Sequence, residues 1–221
     1  MKKRNKCCPL KGVCRIFGAK RWLLPAALYV LVWVCALCVA AVTLAADTTS
    51  RRSGALAAAE LTLADFTLIN AHTESDTLLV SDNEDPQMIY TPAAGKMIQS
   101  LTLRLEYDRY PYERCLYYVT AEGEPFGQDK RVWPVENADG TVSFTLPRGV
   151  KSIRLDPGSC TDLHMEFSSI EVNRPQSAAA YFIPDGGSAF ALLVLPGLGA
   201  AALQWCADTA RDFRRKEEKD T

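Results

Sequence analysis

Two long apolar runs bracket the chain, and between them hydrophobic residues alternate with polar ones in short stretches. The runs cover residues 22–46 and 186–207, and neither contains Asp, Glu, Lys or Arg. A helix of roughly 20 apolar residues crosses the hydrocarbon core of a bilayer. Lipid offers the backbone no hydrogen-bond partner, so a spanning segment satisfies its amides internally as a helix. Each run is therefore predicted to be a transmembrane helix.

Alternation with a period of two predicts β-strands in the region between the runs. The clearest examples are 101–107, 115–120 and 141–146. Further strand candidates are 65–70, 78–80, 88–91, 131–135, 153–155, 163–167 and 170–172. Turn sequences such as Asp-Pro-Gly at 156–158 separate these stretches. About eight short strands without a long amphipathic helix predict a mainly β fold, an antiparallel, jelly-roll-like β-sandwich.

The distribution of charge sets the predicted orientation. Residues 1–21 carry eight Lys and Arg and no acidic residue, and residues 208–221 carry five more basic residues. Short flanks rich in Lys and Arg stay cytoplasmic. The prediction is a two-pass protein of the cell membrane, with both termini cytoplasmic and the central domain extracytoplasmic. The alternative for the first run is a cleaved signal peptide, although such signals have a shorter apolar region of about 7–15 residues.

These patterns divide the chain into six segments. They are a basic cytoplasmic segment (1–21), a transmembrane helix (22–46), a linker (47–60), an extracytoplasmic β-sandwich (61–180), a second transmembrane helix (186–207) and a charged cytoplasmic tail (208–221). Residues 47–187 hold 12 basic and 21 acidic side chains. This acidic balance argues against nucleic-acid binding, which needs a positive surface. The basic N-terminal segment is suited instead to anionic membrane lipids.

In the second span, Gly197 and Ala201 form a small-xxx-small pair, which lets two helices approach closely. This pair is the candidate for a helix-packing face. The alternative is that Gly and Pro are simply common in membrane helices.

A family resemblance is carried by short motifs of the central region. They are Phe144-Thr145-Leu146-Pro147, then Ile153-Arg154-Leu155-Asp156-Pro157-Gly158, with the 85–90 element and the 101–107 and 115–120 strands before them. The segment from about residue 61 to 173 resembles the galactose-binding-like jelly-roll modules of membrane proteins associated with bacterial cell-surface glycosyltransferases. The resemblance implies a sandwich fold and a role near envelope glycans. This chain has only two predicted spans and no evident transferase domain.

Aromatic and charged residues are concentrated between two of the predicted strands. Aromatic faces stack on the C–H surfaces of sugars, while carboxylates and guanidinium groups hydrogen-bond to hydroxyls. The candidate ligand-binding residues are Tyr107, Asp108, Arg109, Tyr110, Tyr112, Glu113 and Trp133. The alternative is an amphipathic hairpin whose tyrosines pack at the edge of the sandwich.

Two further candidates concern a metal and a disulfide. The acidic turn with Asp82, Glu84 and Asp85 offers the oxygen ligands of a structural calcium, or is simply a solvated loop. No other cofactor is expected. Cys115 and Cys160 are the two cysteines predicted to face the outside, where a disulfide persists. The alternative is two independently packed thiols.

The sequence contains no catalytic signature, neither a G-x-S-x-G motif nor a P-loop. The predicted function is that of a non-catalytic membrane protein that displays a β-sandwich and binds a glycan or a protein partner, linked to cell-envelope polysaccharide assembly. One alternative is a structural subunit of a membrane complex. A second alternative is a glycan-active enzyme.

Overall fold

The computed structural model describes residues 22–217, and these residues form two units. One unit contains residues 22–44 and 177–217, and the other contains residues 45–176. The predicted basic segment and the end of the predicted tail lie outside the described residues. Two helices, α1 (Leu23–Arg52) and α2 (Gly186–Glu217), are long and apolar enough to cross a membrane.

The two helices meet at a polar contact and a glycine. The hydroxyl of Tyr29 in α1 donates a hydrogen bond of 2.5 Å to the carbonyl of Leu193 in α2. A Cβ added at Gly197 would lie 3.1 Å from the same hydroxyl. Gly197 is therefore part of the helix contact, because a larger residue would push Tyr29 away.

Ala201 does not belong to this contact between α1 and α2, so the predicted packing role of Ala201 stays a prediction. Pro196 and Ala200, one turn apart, are buried, whereas Ala201 is exposed. Each step along a helix turns the side chain by about 100°, so the residue after Ala200 points away from the packed face.

Within the described residues the central unit contains twelve strands. They are β1 (Ala59–Leu61), β2 (Thr67–Ile69), β3 (Ala71–Thr73), β4 (Leu78–Ser81), β5 (Gln87–Tyr90), β6 (Ile98–Tyr107), β7 (Cys115–Val119), β8 (Arg131–Val132), β9 (Val135–Glu136), β10 (Val142–Val150), β11 (Ser152–Asp156) and β12 (His164–Val172). All pairs are antiparallel. The predicted mainly β fold between two apolar helices is confirmed.

The strands form two sheets with one shared core. The seven-stranded sheet has the order β3-β4-β12-β6-β10-β9, with β1 pairing along the second half of β12. The five-stranded sheet has the order β2-β5-β11-β7-β8. A single buried cluster joins apolar side chains of both sheets, such as Leu101 and Phe144 from the first and Leu116 and Ile153 from the second. Burial of these side chains supplies the main stabilisation of the fold.

The segments 163–167 and 170–172, predicted as two strands, are parts of one strand. The register of β12 against β6 shifts between Phe167 and Ser169. This irregularity inserts an extra residue, so that Phe167 and Ile170 both face the core although they are three positions apart. A strict period of two breaks at such a bulge, which is why the pattern suggested two strands.

The predicted linker 47–60 is also corrected, because α1 continues through its first part to Arg52. The hydroxyl of Thr49 donates to the carbonyl of Ala45, which lets this polar stretch remain helical. Asp47 is buried against the sandwich and binds Arg148 at 2.5 Å. The last turns of α1 are therefore part of the central unit rather than a flexible connection.

The central unit has two distinct ends. Strands β6 and β12 pair along its length, and ten residues of antiparallel strand extend about 30 Å. We call the end with the β6–β7 connection (108–114) and the β11–β12 connection (157–163) the head. We call the end that contains residues 51–57, 92–97 and 147–151 the foot. At the foot, Met97 donates its amide to the carbonyl of Ala55, which ties the β5–β6 connection to the segment after α1.

Candidate functional site

Four large apolar side chains are exposed on two segments, the β6–β7 connection at the head and residues 133–135. Tyr110 is 73% exposed, Tyr112 71%, Trp133 52% and Val135 62%. We call these four residues the aromatic platform. The rings of Tyr110 and Tyr112 stand edge to face with their centroids 5.4 Å apart. Groups of exposed apolar residues rimmed by charge mark binding surfaces more often than do scattered single residues.

Two ion pairs connect the two segments that carry the platform residues. Arg131 donates to Glu113 at 2.9 Å, and Arg114 donates to Glu136 at 2.7 Å. Both pairs join the segment that carries the two tyrosines to the segment that carries Trp133 and Val135. The Arg131 guanidinium also lies 4.3 Å from the centre of the Trp133 ring, a cation–π distance. The indole is thus supported from one side.

Local backbone geometry turns the tyrosines outward. Pro111 between them is buried, and its carbonyl accepts a hydrogen bond of 2.9 Å from the amide of Ser159. Tyr112 has a φ of 58°, in the left-handed region that is uncommon for a residue with a side chain. Both tyrosine rings are exposed to solvent on either side of the buried proline.

Three of the predicted ligand-binding residues have other contacts. Tyr107 is mostly buried, and its hydroxyl donates to the carbonyl of Pro157 at 2.8 Å. Burial raises the pKa of Tyr107 to about 12, against the opposing effect of Arg114. Its assignment to the ligand site is corrected: Tyr107 continues the inward face of β6 and fastens the head from inside.

Asp108 and Arg109 link the β6–β7 connection to the start of β12. The Asp108 carboxylate accepts a hydrogen bond from the amide of His164 at 3.2 Å. Arg109 contacts that carboxylate and donates to the carbonyl of Asp162. These two residues position the base of the platform, while Tyr110, Tyr112, Glu113 and Trp133 form or frame its surface.

A polar cleft of about 210 Å³ lies beside the platform on the five-stranded sheet, and we call it the Arg154 cleft. Its lining comprises Glu84, Asp85, Glu113, Cys115, Tyr117, Gln128, Arg131, Arg154, Asp156, Gly158 and Ser159. Glu113 and Arg131 belong both to this cleft and to the frame of the platform. The cleft therefore adjoins the ion pair that frames the platform.

Arg154 organises the floor of the cleft. Its guanidinium lies 4.3 Å from the ring centre of Tyr117 and donates to Asp156 at 2.7 Å. Burial raises the pKa of Asp156 to about 6, with Arg154 opposing the shift and the neighbouring carboxylates of Asp85 and Glu113 adding to it. Asp156 thus changes charge near neutral pH.

The acidic turn does not assemble a calcium site. Asp82 binds His72 at 2.6 Å, and the Asp85 carboxylate accepts from Gln87 at 2.7 Å. Glu84 lines the Arg154 cleft, as Asp85 also does. Among residues 22–217 no three Asp, Glu, His or Cys side chains come together as metal ligands. The carboxylates point to separate partners, so the geometry does not support the calcium prediction.

Cys115 and Cys160 are free thiols, which corrects the candidate disulfide. Cys115 lines the Arg154 cleft, where burial raises the pKa of its thiol. Cys160 packs against the hydrophobic core, and its thiol contacts the carbonyl of Tyr110 at 3.7 Å. The two thiols therefore lie in different environments, Cys115 in the cleft and Cys160 against the core.

Sequence reasoning missed Val135 and most of the Arg154 cleft. A signal for the cleft was present in β11, where Ser152, Arg154 and Asp156 alternate with two buried apolar residues. Arg154 and Asp156 are thus two charged residues on the outward face of a strand whose other face packs in the core. The contribution of Arg131 was not visible, because it depends on the pairing of β8 with β7.

Comparison with known proteins gives little further guidance. No protein-family model and no curated protein matches the sequence. One solved structure with detectable similarity is CBM86, a low affinity xylan binding module from the xylanolytic gut symbiont Roseburia intestinalis. The similarity has a TM-score of 0.37 at 9% sequence identity and covers 56% of this chain and 98% of the module.

Proposed function

We propose that this chain is a membrane-anchored, non-catalytic protein whose β-sandwich binds a glycan at the head. The aromatic platform is the observation that carries the proposal. Three exposed rings and one valine, on segments joined by two ion pairs, offer apolar surface to the C–H faces of sugar rings. The carboxylates and guanidinium groups of the adjoining cleft are suited to sugar hydroxyls.

The anchoring part of the proposal is supported by the two apolar helices. The 25 uncharged residues of the first run extend about 37 Å as a helix, enough for a hydrocarbon core of about 30 Å. The basic flanks orient both termini toward the cytoplasm. The head is then extracytoplasmic. The galactose-binding-like resemblance adds the narrower hypothesis that the glycan belongs to the cell envelope.

A binding titration of the full chain in mild detergent tests the proposal. The ligands are fragments of cell-envelope polysaccharides, and the variants are Trp133→Ala and Tyr112→Ala. Truncation of a central aromatic in an interface costs about 2 kcal/mol, so each variant should weaken binding by roughly 30-fold. Ile69→Ala removes an exposed apolar side chain from β2 and serves as the matched control. Absence of binding by the unaltered chain to every fragment would refute the proposal, as would equal binding by the platform variants.

The membrane part has its own test. The full chain should remain in the membrane pellet after alkaline carbonate extraction. Cysteines introduced at the head should react with a membrane-impermeant maleimide in intact cells. Release by carbonate, or labelling only after the cells are opened, would contradict the anchoring and the orientation respectively.

A further inference from the structure

The foot of the sandwich concentrates basic side chains around the end of α1. They are Arg51, Arg52, Lys96, Arg148 and Lys151. The amine of Lys96 donates to the carbonyl of Gly54 at 2.9 Å, so it lies beside the chain as it leaves α1. The amide of Lys151 donates to the carbonyl of Val119 at 2.8 Å, which places Lys151 at the same end of the five-stranded sheet.

A cleft of about 350 Å³ opens at the foot between the 92–96 and 121–126 segments. Lys96 and Lys151 both line this foot cleft, together with Glu122 and Glu124. Glu124 is already bound by Lys130 and by the backbone amides of Thr120 and Ala121, and this bonding lowers the pKa of its carboxyl to about 2. Two lysines therefore face one unneutralised carboxylate, that of Glu122.

The position of Arg52 on α1 relates the foot cleft to a bilayer. Arg52 follows the last residue of the apolar run, Ala46, by six residues, or about 9 Å along a helix. One headgroup layer is roughly 5–8 Å thick, and the long arginine side chain reaches back toward it. If α1 spans the membrane, Arg52 and the neighbouring Lys96 lie at the level of the lipid headgroups.

We propose that the foot of the sandwich binds the headgroup of an anionic phospholipid, with its phosphate held by Lys96 and Lys151 in the foot cleft and by Arg52 at the end of α1. This inference rests on the membrane anchoring proposed above and is independent of glycan binding at the head. Charge complementarity selects the lipid, since an anionic surface attracts each nearby Lys or Arg and repels carboxylates.

Lipid enrichment around the full chain tests the proposal. The chain is reconstituted into bilayers of phosphatidylcholine with about one third phosphatidylglycerol, a composition chosen for its anionic surface. It is then extracted with its annular lipid into polymer-bounded discs, and the lipid ratio is measured by mass spectrometry. The unaltered chain should retain phosphatidylglycerol above the bulk ratio. Arg52→Gln/Lys96→Gln/Lys151→Gln should lower the enrichment at the foot, with each cation contributing up to about fivefold.

Two further variants separate a lipid site from net charge and from misfolding. Arg109→Gln/Arg114→Gln/Arg131→Gln removes the same charge from the head and should leave the enrichment unchanged. Lys96→Arg/Lys151→Arg keeps both charges and should preserve it. The enrichment of phosphatidylglycerol by the unaltered chain should also fall at 1 M salt, where charges are screened beyond about 3 Å.

Several outcomes would overturn the inference. They are a lipid ratio equal to the bulk for the unaltered chain, full enrichment in the foot variant, or an equal loss in the head variant. Failure to enter the bilayer at all would instead refute the anchoring itself. Glycan titrations with the foot variant distinguish the two proposals, because the foot variant should bind glycan as well as the unaltered chain does.

Discussion

Replacement of Asn173 by alanine should detach the foot of the sandwich from its core. Asn173 is only 2% exposed and follows β12 directly. Its side-chain oxygen accepts from the amide of Gln99 at 2.8 Å. Its side-chain nitrogen donates to the carbonyls of Met97 at 2.7 Å and Ala57 at 3.1 Å. One buried amide thus joins three separate segments of the chain.

The expected loss follows from these contacts. Each of the three hydrogen bonds contributes about 1 kcal/mol, and their loss leaves buried backbone groups unpaired. Asn173 also has a φ of 54°, and alanine in this left-handed region costs about 1 kcal/mol more. The free energy of unfolding should fall by about 4 kcal/mol, a large part of the 5–15 kcal/mol typical of a domain.

Denaturant unfolding of the full chain in detergent measures this loss, with hydrogen exchange to locate it. The amides near Ala57 and Gln99 should lose protection first. Asn173→Gly removes the same hydrogen bonds but tolerates the positive φ, so it should be about 1 kcal/mol less damaging than alanine. Asn83→Ala, in an exposed turn at the head, is the matched control. A loss below 1 kcal/mol for Asn173→Ala, or unchanged protection at the foot, would refute this account.

Two other substitutions test the cleft and the helix contact. Asp156→Asn should stabilise the central unit above pH 6 by about 3 kcal/mol, because two units of raised pKa cost this much once the carboxylate ionises. The pKa of Asp156 is higher in the folded than in the unfolded state, so the stabilisation by asparagine should shrink as the pH falls through 6 and vanish below about 4. Thermal unfolding across this pH range measures the stabilisation. A stabilisation that does not change with pH would contradict the burial argument. Gly197→Leu should displace Tyr29 and separate the two helices, seen as a lower yield of disulfide crosslinks between cysteines engineered into α1 and α2. Gly199→Leu, where added atoms meet no neighbour, should leave the yield unchanged.

The sheet structure was predictable where alternation is regular. In β6, Leu101 and Leu103 point into the core as their spacing implies, and Tyr107 continues the same series. The pattern alone therefore argued against Tyr107 as a ligand residue. The break in β12 was not predictable, because a bulge changes the spacing without a distinctive sequence.

The functional surfaces were predictable only in part. Tyr110 and Tyr112 lie outside the alternating strands and flank a proline, a pattern consistent with exposure. The partnership of Arg131 with Glu113 and Trp133 depends on which strands become neighbours, and local sequence does not encode that choice. The polar residues at 47–50 suggested a linker, but the Thr49 hydroxyl bonds back to the helix and Asp47 binds a partner 101 positions away.

The continuation of α1 into the sandwich has a consequence for how the protein searches its surroundings. A flexible linker of 14 residues would have let the domain wander over about 20 Å. This freedom is absent, because the chain stays helical up to Arg52. Asp47 binds Arg148 and Arg51 binds the carbonyl of Asn173, which fixes the helix end to the sandwich. The segment after the first apolar run is therefore already ordered, so it has little chain entropy left to lose when the domain binds a ligand.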